Sequence, residues 1–500
     1  MKEWLLLTFK KSRDRIYLPL LLFLLVFTID KIVLKFAGIL LIFLLHPDFN
    51  WRKNLKKIPL FYLLVIVMEI VKFILFNHDF SKGHLASFSM GCLFWLLSFL
   101  CLHQLRSILD ENDEEKIYNT LTLFFLINAA ISLVNLLMAM YHSGSINPYG
   151  VQTEEFSSST GDLIKGLFLG PCYINMMINS FFLFYFLYKQ KFRLSFLAMF
   201  IALLTTSNFA NFVLLPVLIG CFIFKKNLAS RLTIFTCLIA LVLFYLFVST
   251  SNLDYIRNTL WASSKTKQEI VAYQNATVHT DTALATPRKP AVVEYAASKV
   301  DSLLSQSKGR LSPACPDTCL SIDLSEKPGK LQSFQQTYKY LSSGPKPLLL
   351  GSGIGGFSSF LAERASKING SEGSRIFQYL PAYRSEAFEK NHYRIFKRIY
   401  QLPKVFHSIK HFPNSFLNQI LGEYGLLGAL LFLLTYVLFF VRNFFALTYG
   451  KYLILLLGGY LLFDYLFEYL SVVVIFELMM LADIKRIEKL KDQLSHTATT

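Results

Sequence analysis

One carboxylate stands where it could do acid–base chemistry, at the end of a long hydrophilic stretch. Residues 411–434 read HFPNSFLNQILGEYGLLGALLFLL, a polar start followed by an apolar run. Glu423 lies at that transition, where a carboxylate can accept a proton from a hydroxyl or orient a neighbouring base. Gly425 and Gly428 follow it, and small residues permit close contact between helices. Three further polar side chains, Asn414, Asn418 and Gln419, share this boundary.

Basic side chains in the same hydrophilic stretch indicate a second kind of chemistry. Residues 251–411 hold about twice as many Lys and Arg as Asp and Glu residues. This excess favours an anionic partner such as phosphate or lipid headgroups, and a solvated basic surface without a specific ligand explains the count equally well. One predicted helix has an apolar face with basic residues beside it, so it either lies at the membrane surface or packs as a lid on the spans. Its apolar residues are Phe388, His392, Ile395, Phe396 and Ile399, and its basic residues are Lys390, Arg394, Lys397 and Arg398.

The elements that position these residues are predicted to be transmembrane helices. The 500 residues are 54% hydrophobic and 15% aromatic, and continuous apolar runs select helices over a barrel. The predicted fold class is all-α, a polytopic membrane protein of about twelve transmembrane helices with one large extracytoplasmic loop between helices 9 and 10. The predicted spans are 16–28, 32–45, 59–76, 85–105, 120–141, 163–188, 192–206, 209–224, 232–250, 417–441, 452–464 and 466–481, the first two forming a tilted or partly re-entrant hairpin.

Orientation follows from the Lys and Arg residues of the short connections, which are retained on the cytoplasmic side. Basic clusters at residues 2–15, 52–57, 189–193, 225–231 and 485–491 fall on one side. Both termini are therefore expected in the cytoplasm, and the loop outside. The predicted organisation is residues 1–250 as N-terminal spans, 251–413 as the loop, 414–482 as C-terminal spans and 483–500 as a basic tail. A lipid bilayer is an expected partner, and nucleic acid is not.

The loop divides into two parts of different composition. Residues 263–330 are rich in Ser, Thr, Ala and Pro, which predicts a flexible insertion. Cys315 and Cys319 lie there, where an oxidising compartment would permit a disulfide, and neither a metal site nor a cofactor is predicted. Farther on, LLLGSGIGGF formally contains G-x-G-x-x-G. Because no parallel-sheet domain surrounds it, we expect a tight glycine turn.

Charged residues within the predicted spans need a partner. Glu69 and Lys72 are three residues apart and can pair on one helix face; Lys35 and Lys165 lie toward the outer ends of their spans. A structural ion pair with snorkelling lysines is the simplest interpretation, and a diphosphate held by outer-leaflet lysines is the alternative. Asp464 and Glu468 lie near the last outer turn, where they could cap it.

The re-entry segment resembles that of the bacterial O-antigen ligase and polymerase family. E-Y-G-L-L-G at 423–428 is similar to the family's Glu-x-Gly-x-x-Gly, P-N-S-F-L occupies the place of its His-Asn segment, and LLLGSGIGGF and PGKLQSF resemble its loop segments. The chain departs from the family at Lys330 and Asn208, where arginine is usual, and at Pro413, where histidine is usual. Lysine neutralises a phosphate without the bidentate fork of arginine.

The resemblance implies a metal-independent glycosyltransferase in the bacterial inner membrane. Its donor would be an undecaprenyl-diphosphate-linked oligosaccharide, and its acceptor a glycan or lipid A core. On that basis His411 and Glu423 are the candidate catalytic residues, as base or orienter. The candidate diphosphate-binding residues are Arg384, Arg394, Arg398, Lys330 and Lys165.

Four interpretations compete at this point, one of them a structural or sensory membrane protein that catalyses no reaction. A polymerase of surface-polysaccharide repeat units is the leading interpretation, and an O-antigen ligase, which shares the donor chemistry, is the nearest alternative. A lipid-glycan transporter or flippase is the alternative of another class. Transporters typically show repeated halves and mid-depth charges, which this sequence does not show.

Overall fold

A computed structural model describes residues 15–76, 79–149, 163–249, 329–368, 379–401 and 412–499. Within these ranges every regular element is a helix. The helices before the loop are α1 Leu18–Phe27, α2 Ile32–Leu45, α3 Trp51–Leu55, α4 Phe61–Phe76, α5 Lys82–Glu111, α6 Glu114–Ser143, α7 Cys172–Tyr188, α8 Phe192–Leu204, α9 Asn208–Phe224 and α10 Leu228–Leu243. Those after it are α11 Gly329–Leu341, α12 Pro345–Leu350, α13 Phe360–Ala365, α14 Arg394–Gln401, α15 Phe416–Leu431, α16 Gly450–Leu461 and α17 Leu470–Thr499.

Four described helices are long and apolar enough to cross a bilayer. They are Lys82–Glu111, Glu114–Ser143, Leu228–Val248 and Phe416–Val441, the last two including π-helical turns that extend α10 and α15. Six more apolar helices are shorter, with 10–17 residues. The described part of the chain is therefore all-helical, and its apolar helices indicate a membrane-embedded protein, while the number of about twelve crossings stays a prediction.

The first two helices form a short antiparallel hairpin. At about 1.5 Å per residue, α1 and α2 extend roughly 15 and 21 Å, less than the ~30 Å hydrocarbon core. Lys35 of α2 is buried, and its amine donates to the carbonyl of Phe27 at 2.6 Å. The lysine thus caps the end of its partner helix, which is a structural role.

The helix ends follow local sequence signals. Ser81, Ser359 and Ser415 are N-caps whose side chains accept a backbone N–H of the first turn of α5, α13 and α15, which satisfies an otherwise unpaired donor. Helix α6 ends at Gly144, which has a φ of +62°, the left-handed conformation that glycine adopts without steric cost. These caps fix where the long helices begin and stop.

A buried carboxyl joins three helices inside the bundle. The Glu477 carboxyl of α17 accepts hydrogen bonds from the hydroxyls of Tyr62 on α4, at 2.5 Å, and Tyr436 near the end of α15, at 3.1 Å. Both tyrosines are fully buried. Since a buried polar group is costly without a partner, this pairing holds the three helices in register.

The chain divides into two units, Met1–Leu253 with Pro328–Thr500, and Asp254–Lys327. The second unit lies outside the described residues, and so do the predicted Cys315–Cys319 disulfide and almost all of the predicted insertion at 263–330. The structure corrects one boundary of that insertion, because α11 already begins at Gly329. Lys330 therefore belongs to a helix of the first unit.

The amphipathic segment of the loop packs against protein. Its predicted apolar face is confirmed, because Phe388, His392, Ile395, Phe396 and Ile399 are all buried while Lys390, Arg394 and Lys397 are exposed. Phe388 and Phe396 share a cluster with Ala362 and Tyr465. Of the two interpretations of this helix, the packed lid with solvated charges is the one that the structure matches.

The last helix continues beyond the predicted span. α17 runs without interruption from Leu470 to Thr499, so residues 483–500, predicted as a separate tail, extend the same helix through Thr499. The buried part of α17 reaches Ile484 and Ile487. The basic residues that follow are carried on a rigid extension of the bundle.

Candidate functional site

The predicted glycine turn lies on the re-entry helix. Gly351, Gly353 and Gly355 all have positive φ, and the turn pairs with α15 through two backbone hydrogen bonds. The N–H of Ser352 donates to the carbonyl of Gly422 at 2.9 Å, and that of Gly353 to the carbonyl of Glu423 at 2.8 Å. The turn therefore brings the loop onto the re-entry helix.

Gly425 permits this contact by its own conformation. It has a φ of 65° inside α15 and interrupts the helix there. A Cβ added to Gly425 would lie 2.5 Å from the backbone of Leu349, and one added to Gly351 would lie 2.5 Å from the backbone of Glu423. The predicted close contact between helices at Gly425 is confirmed, because Leu349 belongs to α12, a short helix of the loop.

The predicted Glu69–Lys72 ion pair is confirmed, and both residues also bind neighbouring backbone groups. The Lys72 amine lies 2.6 Å from Glu69 Oε1 and also donates to the carbonyls of Leu350, at 2.6 Å, and Glu423, at 3.1 Å. Glu69 Oε2 accepts the N–H of Ile354 at 3.1 Å. This ion pair on α4 therefore anchors both sides of the contact between the glycine turn and α15.

Glu423, a predicted catalytic residue, also takes part in the contact between the glycine turn and α15. Its side chain is 1% exposed. Its Oε1 accepts the hydroxyl of Ser359 at 2.6 Å and the N–H of Phe357 at 3.4 Å. Since Ser359 is also the N-cap of α13, the carboxyl fixes the start of that helix over the bundle. The geometry gives Glu423 a positioning role.

A second group of polar residues, which we call the outer junction, lies where α11, the start of α15 and the turn before α17 meet. It comprises Lys330, Asn414, Gln419, Asp464 and Glu468. Each of these side chains belongs to a residue that the sequence singled out. The chain separates Lys330 from Asp464 by more than a hundred residues, and packing brings them together.

The ammonium group of Lys330 lies among carbonyl oxygens at the outer junction. Its amine donates to the carbonyls of Asn414 and of Phe463, the latter at 2.6 Å, and lies 5.8 Å from the centre of the Phe463 ring. Burial lowers the pKa of Lys330 to about 8, and the charge of Asp464 opposes that shift. The residue is thus a cation with a neighbouring carboxyl, held at a fixed position.

The two carboxyls of the outer junction differ in how they are bound. Glu468 Oε2 accepts the N–H of Phe360 and its Oε1 accepts the amide of Gln419, both at 2.7 Å. Asp464 Oδ1 accepts the N–H of Tyr465 at 2.8 Å and the amide of Asn414 at 3.4 Å. Within the described structure Asp464 Oδ2, Asn414 Oδ1 and Gln419 Oε1 are buried without a hydrogen-bond partner.

A further carboxyl, which the sequence did not single out, lies on α13. Glu363 is 7% exposed, and its Oε1 accepts the hydroxyl of Tyr400. Burial raises the pKa of Glu363 to about 7; the charge of Asp464 adds to the rise, and Tyr400 and Arg364 oppose it. Arg364 beside it is exposed, with its guanidinium 5.5 Å from the Phe360 ring.

Aromatic rings surround the outer junction. The hydroxyls of Tyr173 and Tyr469 lie 2.5 Å apart. The ring of Phe360 meets those of Tyr465 and Tyr469 edge-on at 5.1 and 5.0 Å, and Phe209 packs on Phe463 at 5.6 Å. Ring pairs of this kind pack closely and exclude water from the polar groups beside them.

The other predicted site residues lie apart from the outer junction or outside the description. Arg398 donates to Gln332 at 3.2 Å on the helix of Lys330. Arg384 stacks on Tyr393 at 4.5 Å, and Arg394 and Lys165 are exposed. No hydrogen bond or ion pair between described residues joins Arg384, Arg394 or Lys165 to the outer junction. His411 lies outside the described residues.

Asp464, Glu363 and Arg364 are the functional candidates that sequence reasoning missed or undervalued. Asp464 carried a usable signal, a carboxylate at the end of an apolar run. Glu363 carried none, because its burial comes from the packing of α13 against Tyr400 and Tyr465.

No protein-family model matches the chain, and comparisons with curated proteins and with solved structures also give no match. Fold and site together define a multispanning helical membrane protein. At its outer junction a lysine and several buried carboxyls are covered by a folded loop segment.

Proposed function

We propose that the chain is a membrane glycosyltransferase of surface-polysaccharide assembly that polymerises undecaprenyl-diphosphate-linked repeat units. The observation that carries the proposal is that the Lys330 ammonium and the Asp464 carboxyl both bind Asn414 at the outer junction, the ammonium through its carbonyl and the carboxyl through its amide. Glycosyl transfer from a lipid diphosphate needs a cation for the leaving group and a base for the acceptor hydroxyl. Lys330 supplies the cation, and Asp464 supplies the base.

The reaction uses these residues in separate roles. The acceptor oxygen attacks the anomeric carbon while the bond from that carbon to the diphosphate oxygen breaks, and undecaprenyl diphosphate leaves with the electron pair. Asp464 takes the hydroxyl proton on its carboxylate, which also interacts with the hydroxyl of Tyr173. Lys330, with Arg364 at the exposed edge of α13, neutralises the charge that develops on the leaving group.

Glu423 and the Glu69–Lys72 pair hold neighbouring segments in place and do not react themselves. They fix the glycine turn and the N-terminus of α13, and α13 carries Glu363 and Arg364. The proposal therefore moves the base from Glu423 to Asp464. The unpartnered Asn414 Oδ1 and Gln419 Oε1 add acceptors for sugar hydroxyls, since buried polar groups are normally hydrogen-bonded.

The ligase is the nearest alternative, because it shares the donor and differs in the acceptor. The glycan profile of a bacterium lacking the gene separates the two. Single repeat units on the acceptor indicate a polymerase, whereas full-length chains left on the carrier lipid indicate a ligase. A normal supply of lipid-linked units to the outer face also distinguishes both from a flippase, whose loss stops that supply.

Site variants expressed in the same strain test the assigned residues. We expect Lys330→Met and Asp464→Asn to lower chain formation by about 100-fold or more, the usual range for loss of a proton acceptor or charge stabiliser. Lys339→Met, an exposed lysine of the same helix, and Glu389→Gln, an exposed carboxyl of the loop, are the matched controls. Normal polysaccharide in both well-expressed site variants would refute the enzyme proposal.

A further inference from the structure

A cavity lined by charged residues lies among the helix ends beside the C-terminal extension of α17. It has a volume of about 80 Å³ and lies between the end of α5, the start of α6, the end of α7 and the extension of α17. A water needs about 10–15 Å³ by this measure, so the cavity has room for roughly five non-hydrogen atoms. We call it the tail cavity. A phosphate group is of that size.

The lining of the tail cavity holds one more basic than acidic side chain. Four basic side chains line it, Lys189, Lys485, Arg486 and Lys489, with three carboxylates, Asp113, Glu114 and Asp483. The Asp483 carboxylate is buried and already accepts the N–H groups of Thr448 and Gly450 at 2.8 and 3.0 Å. Glu114 pairs with Lys189, and Asp483 pairs with Arg486 at 3.2 Å, which leaves Lys485 and Lys489 as the basic residues of the lining without an ion pair to a described residue. Most of the negative charge is therefore already bound.

The positive charge is less completely matched. The Lys485 amine donates to the carbonyls of Leu109 and Asn112, which carry no net charge. Burial lowers the pKa of Lys485; the carboxylates of Asp110 and Asp113 oppose the shift, and the like charges of Arg106 and Lys489 add to it. Lys489 is exposed at the rim, where no hydrogen bond or ion pair to another described residue engages it. An anion entering here would meet two ammonium groups.

Aromatic rings lie under the basic side chains of the tail cavity. The Arg486 guanidinium is 5.7 Å and the Lys189 amine 5.5 Å from the ring of Tyr188, and Tyr185 and Tyr449 line the wall. Tyrosine and basic residues together are typical of the level of lipid headgroups. Basic cavities between helices on the cytoplasmic side bind anionic headgroups.

We propose that the tail cavity binds the phosphate of an anionic phospholipid headgroup. The lipid belongs to the leaflet that contacts the C-terminal extension of α17, the inner leaflet on the orientation that the basic connections favour. The acyl chains lie along the exposed apolar sides of the neighbouring spans. This site is independent of the glycosyl transfer proposed above, because its residues touch none of the outer junction.

Lipid retention by the purified full-length chain tests the site. In native mass spectra we expect phosphatidylglycerol to be retained at concentrations at least tenfold lower than phosphatidylcholine. Lys489→Gln, at the rim, should weaken retention of phosphatidylglycerol about fivefold, as expected for one basic residue near a headgroup. Lys491→Gln, which removes the same charge from an exposed position outside the lining, should leave it unchanged.

Three results would overturn the proposal. Equal retention of both lipids removes the headgroup preference. Equal loss in the Lys489→Gln and Lys491→Gln variants shows diffuse attraction without a site. Inorganic phosphate that raises the thermal stability of lipid-free protein as much as phosphatidylglycerol does, with the same dependence on Lys489, assigns the cavity to free phosphate. The melting temperatures of the two variants without lipid show that both are folded.

Discussion

Several carboxyl side chains of this protein are buried, and burial changes how tightly such a group binds its proton. Glu363 is the clearest case outside the spans, because one oxygen accepts the Tyr400 hydroxyl and little of the side chain reaches solvent. Such a group binds its proton more tightly in the folded chain than in the unfolded chain. Its charge state therefore depends on whether α13 is packed in place.

The raised pKa of Glu363 predicts how stability changes with pH. The pKa is about 7 in the folded chain against an ordinary 4.5, so the folded state binds more protons between these values. The contribution of Glu363 to stability is full below about pH 4.5 and is lost as the pH rises to about 7. We expect the Glu363→Gln variant to lose less thermal stability than the parent between pH 4.5 and 7.5.

Thermal unfolding in detergent at the two pH values measures this difference. Glu386→Gln is the matched control, because Glu386 is an exposed carboxyl of the same loop paired with Lys390. It should shift with pH as the parent does. The same pH dependence in the parent and the Glu363→Gln variant would show that Glu363 does not carry the effect.

Contacts between side chains were predicted correctly from the sequence where the two residues are close in the chain. Glu69 and Lys72, three residues apart, pair as expected. The links from Lys72 to Leu350 and from Lys330 to Phe463 join residues 278 and 133 positions apart in the chain. No local pattern specifies such contacts, so the sequence did not predict that Glu423 also holds the glycine turn.

Among the elements, the contact between the glycine turn and α15 depends on two glycines. Gly425 has a positive φ, and a Cβ there would lie 2.5 Å from the backbone of Leu349. A non-glycine residue in the left-handed region costs about 1–3 kcal/mol, and the backbone clash adds to that cost. We expect Gly425→Ala to detach the turn, with a large loss of monodisperse protein and of thermal stability.

Gly458→Ala is the matched control for that substitution. Gly458 lies in α16, and a Cβ there meets nothing within 4 Å. Alanine in a helix interior is favoured over glycine by about 0.5–1 kcal/mol, so this variant should be at least as stable as the parent. Size-exclusion chromatography with a thermal ramp compares the two. Equal stability would mean that the turn is not held at Gly425.

The elements themselves were predictable wherever apolar runs are long. Every predicted span overlaps a helix of the structure, and the apolar face of the lid was found from its 3.6-residue period. Helix ends were harder to place, as at α17, where charged residues continue the helix well past the apolar run. The interruption at Gly425 leaves no trace in hydropathy, because it results from contact with a distant segment.

The orientation of the whole molecule is predicted from the distribution of Lys and Arg residues among its short connections. Basic residues in short connections resist translocation, whereas long loops are translocated largely regardless of charge. The loop lid and the C-terminal end of α17 should therefore face opposite compartments. The proposed glycosyl transfer needs this arrangement, since the outer junction must face the compartment where lipid-linked glycans are presented.

Cysteine labelling tests the orientation directly. In a cysteine-free background, Lys390→Cys and Leu494→Cys introduce thiols at exposed positions of the lid and of α17, with Lys390 70% and Leu494 69% exposed. A membrane-impermeant maleimide should modify the Lys390→Cys variant in cells with a permeabilised outer membrane, and the Leu494→Cys variant only after the inner membrane is disrupted. Labelling of both before that disruption would place lid and tail on the same side, and the outer junction could then not act on a substrate presented outside.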